Sequence, residues 1–191
     1  PASYKAETLS FGLTPFVSCP AFEGYVIEDG ASIVRTEDGT LLAGGGKVLV
    51  SLPQDFKGTS YTVPDGVEAI SDYLFYKKTT ITSVTLPASL KKIGTAAFQG
   101  CTKLTSITLP DGFTTLGEHA FDGCSGLKTV TFGKSLTAVP AYAFSNCSAL
   151  TAVDLPATVE TVGDYAFRGC SKATALSLKE GLTSIGSNAF Y

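Results

Sequence analysis

Methionine and tryptophan are absent from this sequence, histidine occurs once, and only 16% of the 191 residues are charged. The charges sum to −3. That excludes a nucleic-acid or anionic-membrane partner, because both demand a basic field. No apolar run approaches the roughly 18 residues of a membrane-spanning helix, so no membrane insertion by this chain is expected. The opening Pro1-Ala2-Ser3-Tyr4 has neither the basic region nor the apolar stretch of a signal peptide. With no initiator methionine either, the chain reads as a processed or excised one. Signals for chemistry are also scarce. There is no G-x-S-x-G elbow, and the run Gly44-Gly45-Gly46 lacks both the G-x-G-x-x-G context and the Lys-Ser/Thr of a phosphate loop. The acid pairs Glu28-Asp29 and Glu37-Asp38 each precede glycine, which is turn chemistry, and no EF-hand spacing surrounds them. A nucleophile–base–acid set is not assembled around the lone His119. The chain is read as a non-enzyme with no cofactor and no metal.

What the sequence does contain is periodicity. Phe75, Phe98, Phe121, Phe144, Phe167 and Phe190 recur every 23 residues, and Cys101, Cys124, Cys147 and Cys170 each follow one of them at the third position. A fixed period of ~20–29 residues with leucine-like positions marks a leucine-rich-repeat solenoid. Aligned on phenylalanine, the blocks run Tyr61–Ser83, Val84–Ser106, Ile107–Thr129, Val130–Ala152 and Val153–Ala175, with a partial block Leu176–Tyr191. Each opens on an L-x-x-I-x-L pattern, as in Leu104, Ile107 and Leu109. Its period of two points Ile and Leu inward and the intervening Thr outward. The second half, L-x-x-I-G-x-x-A-F, carries a central glycine and β-branched residues. These favour short irregular β or 3₁₀ pieces over a proper helix. Gly100, Gly123 and Gly169, and Asn146 in the equivalent place, are expected at positive φ. Pro64, Pro87, Pro110 and Pro156 close the first strand, since proline cannot donate to a ladder.

The first third departs from this period without losing it. Phe16 and Cys19 keep the phenylalanine–cysteine spacing, and Phe22, Tyr25 and Ile27 keep the strand spacing. Between this degenerate copy and the array, Thr40–Ala43 and Lys47–Leu52 flank the three glycines as the arms of a β-hairpin. The division is thus 1–60, a degenerate repeat plus hairpin insertion, continuous with a 61–191 array of five full repeats and one partial. The fold class is a right-handed leucine-rich-repeat solenoid, mostly β with irregular or 3₁₀ coil, opened by a β-hairpin. The final Phe190-Tyr191 falls mid-copy without a polar cap, and exposed apolar coil ends invite end-to-end association.

LPASLKKIGTAAFQGC, LPDGFTTLGEHAFDGC and LPATVETVGDYAFRGC resemble the BspA-like class of bacterial leucine-rich repeats, and DGTLLAGGGKVLVSLP followed by YTVPDGVEAI resembles the opening of such arrays. The resemblance covers about Phe16–Tyr191. It implies a bacterial protein that is secreted or displayed at the cell surface, with adhesion to host matrix or cell-surface proteins as its role and no catalytic residue to carry over. Pro140 in place of glycine, Gly133 and Lys179 in place of proline, and Lys78 in place of cysteine read as tolerated variants of the register.

The cysteine row is read as buried thiols. Stacked parallel coils sit roughly 4.7–4.9 Å apart, and parallel Cβ vectors leave these atoms too far apart for the ~3.5–4.5 Å of a disulfide. Cys19 falls in the same column. Two surfaces remain as candidates for binding. One is the outward strand column Thr85, Thr108, Thr131, Asp154 and Ser177, a nearly uncharged strip suited to a protein partner or a glycan. The other is the column Tyr73, His119, Tyr142 and Tyr165, whose amphipathic rings offer contact area and which keeps a glycan open as the alternative ligand. The bland alternative is a passive spacer whose threonines are merely good β-surface residues.

Overall fold

The protein, described here by a computed structural model, is defined for residues 34–36, 39–53 and 56–191. The degenerate copy around Phe16, Cys19, Phe22, Tyr25 and Ile27 lies outside them, as do both acid pairs. The chain forms a β-solenoid of about six turns, with no helix among the described residues. An antiparallel opening consists of β1 (Val34–Arg35), β2 (Leu41–Ala43) and β3 (Val48–Ser51). Two-residue and three-residue strands then alternate along the array. The first ladder is built from β4 (Ser60–Thr62), β6 (Ser83–Thr85), β8 (Ser106–Thr108), β10 (Thr129–Thr131), β12 (Ala152–Asp154) and β14 (Ala175–Ser177). The second ladder takes β5 (Ala69–Ile70), β7 (Lys92–Ile93), β9 (Thr115–Leu116), β11 (Ala138–Val139), β13 (Thr161–Val162) and β15 (Ser184–Ile185). Of the two forms expected for the second half of each repeat, the described residues adopt the β form.

All pairing within the array is parallel, each residue lying beside its equivalent one coil away, as in Tyr61 with Val84 and Ile93 with Leu116. The hairpin joins the second ladder through β3, with Val48 opposite Ala69, and so covers the N-terminal edge of β5. Its arms match the expected ones.

Inside, the alternation gives Val84, Ile107 and Val153 to the core while their neighbours on the same strands are exposed. The phenylalanines stack face to face from Phe75 to Phe190, with centroids 4.7–5.3 Å apart and planes within 7° of parallel. Such aligned stacking is imposed by the coil spacing, which places equivalent rings one above another. Beside them, burial pushes the Cys101 thiol up to about 12 and that of Cys170 to about 11, and carries Cys124 and Cys147 well above the ordinary thiol range. Each Sγ donates to the carbonyl of a phenylalanine in the preceding coil, as from Cys101 to Phe75 and from Cys124 to Phe98, both at 3.0 Å. These thiols act as weak donors as well as small apolar fillers, a role the spacing alone did not disclose.

The third face of each coil is a turn with its own hydrogen-bond pattern. In the second coil the amides of Ala96, Phe98 and Gly100 donate forward to Glu118, Ala120 and Asp122, while Ala97, Gln99 and Cys101 close local turns to Gly94, Ala96 and Phe98. Gly100, Gly123 and Gly169 take the expected positive φ of 72–74°, and Asn146 takes 58°. Tyr73, Ala96, His119, Tyr142, Tyr165 and Asn188 also sit at positive φ, between 51° and 58°. Residue type does not announce this, because side chains with a Cβ are disfavoured there by roughly 1–2 kcal/mol each. Here the forward hydrogen bonds of the turn hold the conformation. Gly94, Gly117, Gly163 and Gly186 serve differently: a Cβ at Gly117 would lie 2.4 Å from the backbone of Gly94, so glycine is what lets consecutive coils close up.

Candidate functional site

The outward column predicted from the repeat is present as a column. Thr85, Thr108, Thr131 and Asp154 are exposed and Ser177 is half-buried, all on the first ladder. Register extends it by one residue that the sequence reading missed, since Thr62 lies beside Thr85. A parallel column of Ser60, Ser83, Ser106 and Thr129 lies two residues before it on the same strands. Four consecutive coils therefore display a hydroxyl pair, none of it charged. The hydroxyls of Thr62, Thr85, Thr108 and Thr131 make no hydrogen bond among the described residues. Their neighbours Thr82, Thr105 and Thr151 are already committed, each donating to a carbonyl of the preceding coil at 2.9–3.3 Å.

Beyond the fourth coil the strip changes character. Ala152 and Ala175 replace the hydroxyls of the inner column. Lys179 bridges to Asp154 at 3.0 Å and donates to Ser177 Oγ at 2.6 Å. The hydrogen bond from Lys179, then that from Ser177, holds the Asp154 carboxyl below its ordinary range. The five predicted residues thus share a face but not a chemistry.

The aromatic column is also brought together, in a way that limits it. His119 stacks on Tyr142 at 4.6 Å and Tyr142 on Tyr165 at 4.9 Å, while Tyr73 packs edge-on against Tyr76. Stacking covers the ring faces that a sugar would need and leaves mainly edges to solvent. The side chain of His119 is 36% exposed and its Nδ1 lies 3.2 Å from Asp122. Asp122 also accepts from Gln99 and Asn146, so this acid serves to tie three coils together. Among the described residues no group of His, Cys, Asp and Glu is placed to hold a metal, and no helix is long and apolar enough to cross a membrane.

The geometry has a counterpart among known proteins. The family described as BspA type leucine rich repeat region matches residues 68–191 in six copies. The chain belongs to this family. No curated protein is matched by the sequence. Among solved structures, a leucine-rich repeat protein from Eubacterium ventriosum aligns with 26% identity over 81% of this chain and 48% of its own, at a TM-score of 0.72. The T. pallidum leucine rich repeat protein aligns with 29% identity over 76% of this chain and 81% of its own, at 0.61. A leucine rich cell surface protein from Faecalibacterium prausnitzii shares the fold at 23% identity and a TM-score of 0.51, over 89% of this chain and 52% of its own. The BspA-type chain thus spans about half the length of the E. ventriosum protein. Leucine-rich-repeat solenoids as a class are interaction modules that bind along extended surfaces, and their fold is generally non-enzymatic.

Proposed function

We propose that this BspA-type chain is a non-enzymatic protein-binding module, secreted or held at the cell surface, that adheres to a host extracellular-matrix or cell-surface protein. The contact runs along the first ladder through Thr85, Thr108 and Thr131, extended by Thr62 and bounded by Asp154 and Ser177. The observation that carries this reading is the two-column array of uncharged hydroxyls on four consecutive coils, one column of it uncommitted to the protein itself. Such an array offers many small hydrogen bonds on a backing made rigid by the phenylalanine stack. The cell-surface description of the F. prausnitzii relative supports the location. A glycan ligand is the weaker reading, because the rings suited to it face one another.

The test is surface-plasmon binding of the chain to matrix proteins, mucins and glycans beside a Thr85/Thr108/Thr131→Lys triple variant with unchanged melting. Saturable binding to a protein that the variant loses supports the proposal. Binding that the variant retains moves the site elsewhere, competition by free sugar identifies a lectin, and no binding at all leaves a spacer.

A further inference from the structure

The second, third, fifth and sixth coils are each tied to the coil before through the glycine that ends the second ladder, and the first through Ser71, which donates to Leu49. Gly94 donates to Ile70, Gly117 to Ile93, Gly163 to Val139 and Gly186 to Val162, at 2.7–2.9 Å. The fourth coil has Pro140 in that place. Proline has no N–H, and it brings a Cβ and a ring to a position where a Cβ on Gly117 or Gly163 would lie 2.4–2.5 Å from the neighbouring backbone. The third and fourth coils therefore lack this hydrogen bond along the edge. The amides of Thr137 and Ala138 find no acceptor among the described residues, whereas their equivalents Thr114, Thr115, Glu160 and Thr161 all donate to the coil before. The second ladder accordingly ends at β9 and restarts at β11.

The first ladder breaks one step later, between β10 and β12. There Phe132 and Gly133 replace the leucine and proline of the second, third and fifth copies. A Cβ at Gly133 would fall 1.9 Å from the carbonyl of Pro110, so at this corner the fourth coil is drawn onto the third. Phe132 packs edge-on against Phe144 at 5.6 Å. The fourth coil is thus unevenly paired. It is paired with the third coil on one face and with the fifth on the other; Thr151 still donates to Lys128 at 3.2 Å across the β10–β12 step, but only the turn face is bonded to both neighbours in every row. There His119, Phe121 and Gly123 donate to Ala141, Ala143 and Ser145, and Tyr142, Phe144 and Asn146 donate to Asp164, Ala166 and Arg168.

We infer that the fourth coil is a flexure built into the solenoid, about which the arms 61–129 and 153–191 bend with the turn face as the hinge line. Two discontinuous sheets joined through one continuous seam open and close along that seam, and the bend changes the angle between the hydroxyl array and the Asp154–Lys179 end of the strip. This goes beyond the binding proposal and does not depend on it.

The experiment is a pulsed electron-spin distance measurement on the full chain, with nitroxides carried on non-natural amino acids so that the native thiols are untouched. Labels at Lys92 and Ser184 span the fourth coil, and labels at Lys47 and Lys103 both lie on its N-terminal side. The spanning pair is expected to give a distribution roughly twofold broader than the control, narrowing to the control width in Pro140→Gly. Equal widths in the unmodified chain overturn the flexure, as does an unchanged width in a Pro140→Gly chain that melts as a folded protein. The comparison of widths in the unmodified chain stands even where that variant does not fold.

Discussion

The turn face and the strand faces of this solenoid solve the same problem differently. From Phe75 to Phe190 the turn face is unbroken: its rings stack without a gap and its amides donate forward coil after coil. The strand faces are divided, the second ladder into three strands that continue the hairpin sheet and three beyond, and the first into sheets of four and two. Continuity is therefore held by the phenylalanine column and the turn hydrogen bonds, while strand pairing is free to lapse where Pro140 or Gly133 enters. A repeat that varies its outward surface for a partner needs this separation of duties.

The separation is broken most severely at the stack. Phe121→Ala should cost roughly 3–5 kcal/mol by the large-to-small rule, read as a loss of denaturant resistance that spreads to the third and fourth coils, since each coil is stable only against its neighbours. Phe190→Ala, at a ring already 37% exposed, should cost well under half of that. A smaller effect probes how closely the coils sit. Gly117→Ala forces a Cβ into the Gly94 backbone and should lose roughly 1–3 kcal/mol as an overpacking defect. Gly112→Ala, where a Cβ meets nothing within 4 Å, should leave the melting curve unmoved. The smallest effect is chemical. Because burial holds the thiols protonated far above neutral pH, alkylation at pH 8 should spare Cys101, Cys124 and Cys147 in the folded chain. Cys170, half-buried and least raised, should label first in peptide mass maps. Equal labelling of all four would show that the stack opens readily.

Much of this was legible in advance. The 23-residue interval was sufficient to place Phe121 in a column, Thr108 outward between Ile107 and Leu109, and Gly123 at positive φ, because each follows from period and residue type alone. The left-handed conformation at Tyr142 and Tyr165 was not legible, since nothing about tyrosine announces it and its cause is a set of hydrogen bonds between coils. Pro140 and Gly133 were visible as departures but were read as neutral. They do keep the register, yet each interrupts a ladder, which depends on an N–H or a close approach that residue counting does not see. The role of Thr82 was not legible for a similar reason, since only the geometry shows that it donates its hydroxyl to the Thr59 carbonyl.

The forward hydrogen bonds of the turn also give the molecule an electrical direction. Along three rows every inter-coil N–H points toward the C-terminal end and every inter-coil C=O toward the N-terminal end, as when Tyr73, Phe75 and Lys77 donate to Thr95, Ala97 and Gln99. Peptide dipoles of about 3.5 D that cancel in ordinary strands here add head to tail, as they do in a helix. The first coil lies at the negative pole, and it carries Lys77 and Lys78 where later coils have glycine or asparagine and cysteine. A coil inserted upside down would set carbonyl against carbonyl, so the array can grow in one polarity only.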